Sequence, residues 1–228
     1  MANLKDMEDL KAFSAVRAKD VSRKILKRYA NSCKFLFFSL EISMFRNFTA
    51  SNLGVLTTAK SSVARTIREE LLHLYPDFSD FDSILPKKAN LQITKGRGEL
   101  NHVQFLSVDG LILFFKDRDG PWLPTLTAAK KYPALMPIVQ VDKGATDFVL
   151  RGANVMAPGL VSAGGSLPAG LAKDRPVQIF IEGQSDCAAA VGVLLMSSDE
   201  IMLTRKGTAI TNVHYRDDGL SKLSQAVV

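Results

Sequence analysis

Three histidines, His73, His102 and His214, and one pair of adjacent carboxylates, Asp217-Asp218, are the residues to test first for catalysis. The histidines fall on one helical pattern and two strand patterns, and His102 and His214 have no serine or cysteine with an accompanying acid nearby in the chain. HExxH and GxSxG are both absent, and a nucleophile needs a positioned base. Asp217 and Asp218 are sequence neighbours, which do not face each other as a catalytic dyad must; turn chemistry accounts for them better. Gly164-Gly165, Gly152 and Lys206-Gly207-Thr208 invite a phosphate-loop reading. However, GxxxxGK followed by Ser or Thr is missing, as is GxGxxG, and Lys206 precedes a strand pattern rather than a helix. These readings exclude an enzyme and a nucleotide-binding loop.

What remains is chemistry of contact, and it concentrates in residues 141–160. Asp142 stands where a carboxylate can accept from the first turn of a helix. Ala145, Phe148 and Val149 give that short helix one apolar face, and Gly152 stands where a left-handed cap is wanted. Asn154-Val155-Met156 can then run extended until Pro158-Gly159, expected as an edge or a bend. Glycine lets a nucleic-acid backbone approach closely, and exposed N–H groups can hold phosphates. Lys143 and Gly144 open this stretch, Arg151, Gly152, Ala153 and Asn154 end its helix, and Met156 and Pro158 offer apolar surface to a base or sugar. The alternative is that Gly152, Pro158 and Gly159 only turn a corner of a β structure. Lys87-Lys88 with Lys95 and Arg97 form a second basic cluster, for which a solvated charged face is the default and a phosphate or partner contact the sharper reading.

The elements that must position these residues divide at Asp119-Gly120-Pro121. Before it, Val63, Ile67, Leu71 and Leu74 recur as on a helix over Thr58–Tyr75, capped by Thr57 or Thr58 and ended by Pro76. Phe78, Phe81, Ile84 and Leu85 suggest a short second helix. Strands follow at Leu91–Thr94, His102–Val108 and Leu111–Phe115, the last two joined by an Asp109-Gly110 hairpin turn. The run Leu111–Phe115 is too apolar for a free edge, and residues 1–43 or a partner chain are candidates to cover part of that face. After the boundary, Trp122 reads as packing between domains. Thr125–Lys131 reads as a helix, and Ile138–Val141, Val177–Ile181, Ala188–Met196 and Thr208–Tyr215 as strands. Ser197 with Glu200 forms a capping box, and Asp218-Gly219 is expected to turn the chain out. Many short strands with glycine corners suit a small pseudo-barrel.

The formal net charge of +6 is uneven: residues 1–43 carry nine Lys or Arg against five Asp or Glu, and the remainder 20 against 18. The folded part therefore lacks a broad basic footprint, and any RNA contact must come from a local patch. Cys33 and Cys187 suggest neither a disulfide framework nor a zinc site, so a reducing compartment is expected. The apolar run Phe35–Leu40 is far short of a membrane span, and a signal peptide is not evident. Leu4, Met7, Leu10, Phe13 and Val16 make residues 1–43 a basic amphipathic stretch, read as a lineage-specific extension or the product of start-codon choice.

The run KGA, FVLRGANVM and APGL within residues 143–160 resembles the signature of the PUA domain, a small RNA-binding β-barrel named after pseudouridine synthase and archaeosine transglycosylase. With LPKK at 85–88, DGLILFFKDRDGP at 109–121, KYPALMP at 131–137 and NVHYRDDGL at 212–220, the chain from about Met44 to Lys222 resembles the malignant T-cell-amplified-sequence family of translation factors, also found as the front half of ligatin. The resemblance implies an α+β protein: an extension at 1–43, an N-terminal α/β domain with a small antiparallel sheet at 44–120, a PUA pseudo-β-barrel at 121–222 and a tail at 223–228. It also implies a non-enzymatic cytoplasmic factor that binds the RNA of the small ribosomal subunit and tRNA, in tRNA recruitment or release, reinitiation and post-termination recycling. The implied partner is a density-regulated-protein-like chain forming a heterodimer; no cofactor, metal or membrane is implied. The helix and glycine loop over 143–159 would face RNA. A PUA-like protein-interaction module, or an accessory subunit of an RNA-modification complex, is the alternative.

Overall fold

The computed structural model describes residues 44–86, 89–184 and 186–226; the amphipathic segment 1–43 and the pair Lys87-Lys88 lie outside the described residues. Five strands build the first sheet in sequence order: β1 (Thr57–Thr58), β2 (Leu91–Lys95), β3 (Val103–Val108), β4 (Leu111–Asp117) and β5 (Leu123–Pro124), each antiparallel to the next. The β3–β4 hairpin forms as its turn residues dictate, with φ of 51° at Asp109 and 87° at Gly110. Two successive positive φ values match the right-handed twist of the flanking strands.

Helix α1 (Ser61–Leu74) buries Ile67 and Leu71 on the expected face and ends at Tyr75 before Pro76. Its expected threonine cap is not there. Thr57 and Thr58 pair instead with Ile93 and Gln92 in β1, and Lys60 holds the cap position with no side-chain bond. β-Branched residues fit a pleated ladder, and here a neighbouring strand is in place to receive them. Helix α2 (Phe81–Ile84) buries Phe81 and Ile84 beside Phe78 and Leu85.

β4 is not an edge. β5 pairs with its outer side, helix α3 (Leu126–Lys131) packs on it, and Leu113, Phe114 and Phe115 are buried by the chain's own residues. The apolar run is thus no free edge, as its composition implied. The first sheet also runs through Pro124, past the glycine-proline corner at 120–121. Thr125 caps α3 by accepting the Ala128 N–H at 3.2 Å.

The second sheet comprises β6 (Ile138–Val141), β7 (Val155–Met156), β8 (Pro176–Ile181), β9 (Ala190–Leu194) and β10 (Thr208–Tyr215), in the order β6-β8-β9-β10-β7. Only the β6–β8 pair is parallel. Short helices α4 (Thr146–Leu150), α5 (Ala157–Val161) and α6 (Ser198–Thr204) lie between its strands in the chain. In α6 the Ser197–Glu200 box is complete: Glu200 N–H donates to the Ser197 hydroxyl at 3.2 Å and Ser197 N–H to Glu200 Oε2 at 2.8 Å.

The chain does not turn out at Asp218-Gly219; helix α7 (Gly219–Ala226) begins there. Asp218 is fully buried, accepts the N–H groups of Ser221 and Tyr215 at 2.8 and 3.0 Å, and meets His214 Nδ1 at 2.6 Å. A carboxylate at a helix start satisfies donors that otherwise have no partner. His102 likewise lies 3.5 Å from Asp117, so both histidines stand beside an acid that sequence spacing did not reveal. Burial pushes the Asp117 carboxyl above the usual range, against the opposing pull of His102 and Arg118.

The second sheet has a core of its own around Val139, Ile179, Leu194 and Ile210, and two further clusters join the sheets. Tyr75, Phe114 and Trp122 of the first half cluster with Ala188 and Val191 of the second. Phe45, Phe48, Phe105 and Phe115 cluster with Val193, Val213 and Leu220. Trp122 is a hub: its Nε1 donates to Glu70 Oε2 at 3.1 Å, its carbonyl accepts from the Tyr75 hydroxyl at 2.7 Å, and Lys116 lies over its ring.

Candidate nucleic-acid interface

β6 ends at Val141, and Asp142 turns the chain into a helical turn by accepting the Ala145 N–H at 3.1 Å. The same carboxylate accepts the Ser162 hydroxyl at 2.6 Å, and the Asp142 N–H donates to the Gly159 carbonyl at 3.1 Å. Asp142 thus ties the start of α4 to the end of α5. Lys143 and Gly144 are exposed on this knot.

Glu182, just past β8, completes it. Its Oε2 accepts the Lys143 N–H at 3.3 Å. Its carboxylate lies against Gly164, where a Cβ would come within 2.2 Å of Oε2. Gly164 holds a φ of +92°, and Gly183 one of +77° with the Lys143 aliphatic stem 3.2 Å from where its Cβ would be. Both glycines are set by their left-handed φ, and a Cβ at either would make the side chain packed against it shift.

At the other end of α4, Gly152 has the left-handed φ of 84° expected of it. Ala153 N–H donates to Phe148 O at 2.9 Å and Gly152 N–H to Val149 O at 3.0 Å, the paired bonds of a Schellman cap. Val149 is buried, but Phe148 is 65% exposed, so only part of the expected apolar face packs inward. Arg151 is exposed and 4.0 Å from Asp147, itself exposed, an ion pair of little energetic weight.

Asn154 and Ala153 are committed to the fold. Asn154 Oδ1 accepts the Asn212 N–H at 3.0 Å, and the Asn212 amide donates to the Ala153 and Val149 carbonyls at 3.2 and 3.0 Å. Met156 is half exposed beside Thr208 of β10, whose hydroxyl reaches its sulfur at 3.6 Å. Pro158 does not break a strand at an edge. It lies in the first turn of α5, where its missing N–H is no loss and its fixed φ suits the helix.

The stretch therefore presents two surfaces rather than one. Lys143, Gly144, Gly159 and the unforeseen Glu182, Gly164 and Gly183 form a head; Arg151, Met156, Phe148 and Thr208 form a tail beyond α4, with Gly152 buried beneath it. Of the second basic cluster, Lys95 ends β2 and Arg97 follows it two residues on. Elsewhere in the first half, Arg65, Arg68, Pro86 and Ala89 line a cleft of about 470 Å³. Sequence reasoning missed Glu182 because its partner lies 39 residues away; its only local signal is a Glu-Gly step ending an apolar strand. Among the described residues there is no group of three His, Cys, Asp or Glu side chains able to hold a metal ion, and no helix is long and apolar enough to cross a membrane.

Comparison with known proteins agrees with this architecture. Residues 48–133 match the Pre-PUA-like domain family and residues 137–216 the PUA domain family. The chain is similar to malignant T-cell-amplified sequence 1 of Danio rerio, 43% identical over 180 residues covering 78% of this chain and 96% of that protein. It is also similar to translation machinery-associated protein 20 of Saccharomyces cerevisiae, 37% identical over 183 residues covering 79% and 99%. Among solved structures, a PUA domain protein of Aeropyrum pernix K1 in a tartrate complex superposes with a TM-score of 0.60 at 29% identity, covering 77% of this chain and 92% of that one. With a Pre-PUA-like half welded to a PUA half, and relatives of this identity matched over nearly their whole length, the chain belongs to the malignant T-cell-amplified-sequence family.

Proposed function

We propose that this protein is a non-enzymatic, translation-associated RNA-binding factor that works in the cytoplasm on the small ribosomal subunit. It would help recruit or release tRNA in reinitiation and post-termination recycling, together with a density-regulated-protein-like partner. The observation that carries the RNA assignment is the head of the PUA half, where the Lys143 cation, Gly144 and Gly183 are exposed together. The name of the yeast relative supports the translational setting. Positioning is the whole of the work: Lys143 and Arg151 would anchor phosphates at opposite ends of α4, and Met156 with Phe148 would receive a base or sugar. The basic residues Lys87, Lys88, Lys95 and Arg97 would place the first half against rRNA or the partner.

The test is binding of the full chain to isolated small ribosomal subunits across a salt series, with and without the partner. Affinity should fall steeply with salt, and Lys143→Ala or Arg151→Ala should each reduce the log–log salt slope by about 1. A protein-interaction module is the second reading, favoured by the near-balance of 20 basic and 18 acidic residues after residue 43. Binding indifferent to salt and to both substitutions would select it, and no ribosome binding by the folded protein would sink the translational reading.

A further inference from the structure

The head of the interface contains a carboxylate where a surface built only for phosphate would have none. Glu182 spends Oε2 on the Lys143 N–H at 3.3 Å. No described residue donates to Oε1. The residue is partly exposed, so Oε1 is a free acceptor at the surface. The Lys143 side chain runs back over Gly183, the next residue, with its Cε 3.2 Å and its Nζ 3.9 Å from where a Cβ would stand. Yet no ion pair within 4.0 Å joins that ammonium to Glu182 or to any other described acid. Cation and acceptor thus belong to one head, joined through the Lys143 N–H and Gly183, and are not spent on each other.

The surrounding backbone keeps them so. The Glu182 carboxylate is wedged over Gly164, whose positive φ and absent Cβ make the room, and Gln140 holds that loop by donating its Nε2–H to the Gly164 carbonyl at 2.8 Å. Asp142, the other acid at the head, is occupied by Ser162 and Ala145. One free acceptor beside one free cation demands a ligand with an anion next to a hydrogen-bond donor.

We propose that Glu182 and Lys143 together recognise a ribonucleotide, Lys143 taking a phosphate oxygen and Glu182 Oε1 accepting a ribose 2′-hydroxyl. Glu182 is thus the residue that makes this surface prefer RNA to DNA. The 2′-hydroxyl is the donor that distinguishes the two backbones, and a carboxylate repels phosphate unless such a donor meets it. The proposal rests on the RNA-binding reading of the same surface and adds its selectivity.

The experiment measures binding of the full chain to a short labelled single-stranded RNA, to the DNA of the same sequence and to the 2′-O-methyl RNA. It is run on the unsubstituted protein, Glu182→Ala, Glu182→Gln and Lys143→Ala, each checked for an unchanged fold by circular dichroism. The unsubstituted protein should favour RNA over both competitors by about tenfold, the scale of one charge-assisted hydrogen bond. Glu182→Ala should bring that ratio close to 1, chiefly by loss on RNA, with DNA bound as well as before or better. Glu182→Gln, which keeps a neutral acceptor, should fall between. Lys143→Ala should weaken RNA and DNA alike and leave the ratio standing. An RNA preference unmoved by Glu182→Ala, or absent from the start, overturns the proposal while leaving RNA binding intact. Failure to bind either nucleic acid overturns the RNA reading itself.

Discussion

Gly164 shows how one residue can hold a surface open. A methyl group there would meet the Glu182 carboxylate at 2.2 Å and impose a left-handed φ of +92° on an L side chain, so Gly164→Ala should cost about 1–3 kcal/mol. Since Glu182 holds the Lys143 N–H, the same change should weaken RNA binding beyond its effect on stability, which a paired melting and affinity measurement resolves. Asp117 makes the opposite case. Burial raises its carboxyl pKa in the fold, so the native state takes up a proton more readily than the unfolded chain. Stability contributed by this group is therefore lost as pH rises from the unfolded value near 3.8 through the raised native one, and at neutral pH the buried charge is a burden. Asp117→Asn should raise the melting temperature at pH 7 by a few degrees (about 2–4 °C), and the gain should vanish in acid where the native aspartate is already protonated.

At the scale of elements, α6 depends on its box. Bonds from the Ser197 N–H and hydroxyl hold the Glu200 carboxyl below its ordinary value. Glu200 thus favours the fold above pH 4.5, and that contribution is lost as pH falls through its lowered native pKa. Ser197→Ala should lower the melting temperature by about 2–4 °C and return the Glu200 titration toward its ordinary range, both readable by NMR. This box was legible in the sequence because its partners are three residues apart, and β6 and β10 were legible because each opens directly after a breaker, Pro137 or Gly207. β1 was not, since two threonines become a strand only when β2 lies beside them. Nor was α7, whose first turn depends on Asp218 being held by His214 in the core. The candidate surface divided the same way: the Asp142 cap and the left-handed Gly152 are local chemistry, whereas Glu182 reaches Lys143 only through the parallel pairing of β6 with β8.

For the molecule as a whole, the question is whether the two halves act as separate modules on a linker or as one body. Phe45 is fully buried, with its ring edge-on to both Phe115 of the first sheet and His214 of the second. Its carbonyl accepts the Gly219 N–H at 2.8 Å, and a Cβ at Gly219 would strike the Phe48 carbonyl at 2.0 Å. Ala188 and Val191 enter the first core from the second half, and Arg175 pairs with Asp77 across the same boundary. With the apolar core shared in this way, neither half can open without exposing surface on the other, and unfolding should be a single transition. Trp122, the sole tryptophan, reports on the first core, and hydrogen exchange in β8–β10 reports on the second. Their urea midpoints should coincide, and Phe45→Ala should lower both together by an amount corresponding to about 3–5 kcal/mol. Two midpoints, or a loss confined to one probe, would mean modules that reorient independently. A single midpoint would mean that the basic residues of the first half and the Lys143–Glu182 head are held at a fixed spacing, as a factor that works by positioning requires.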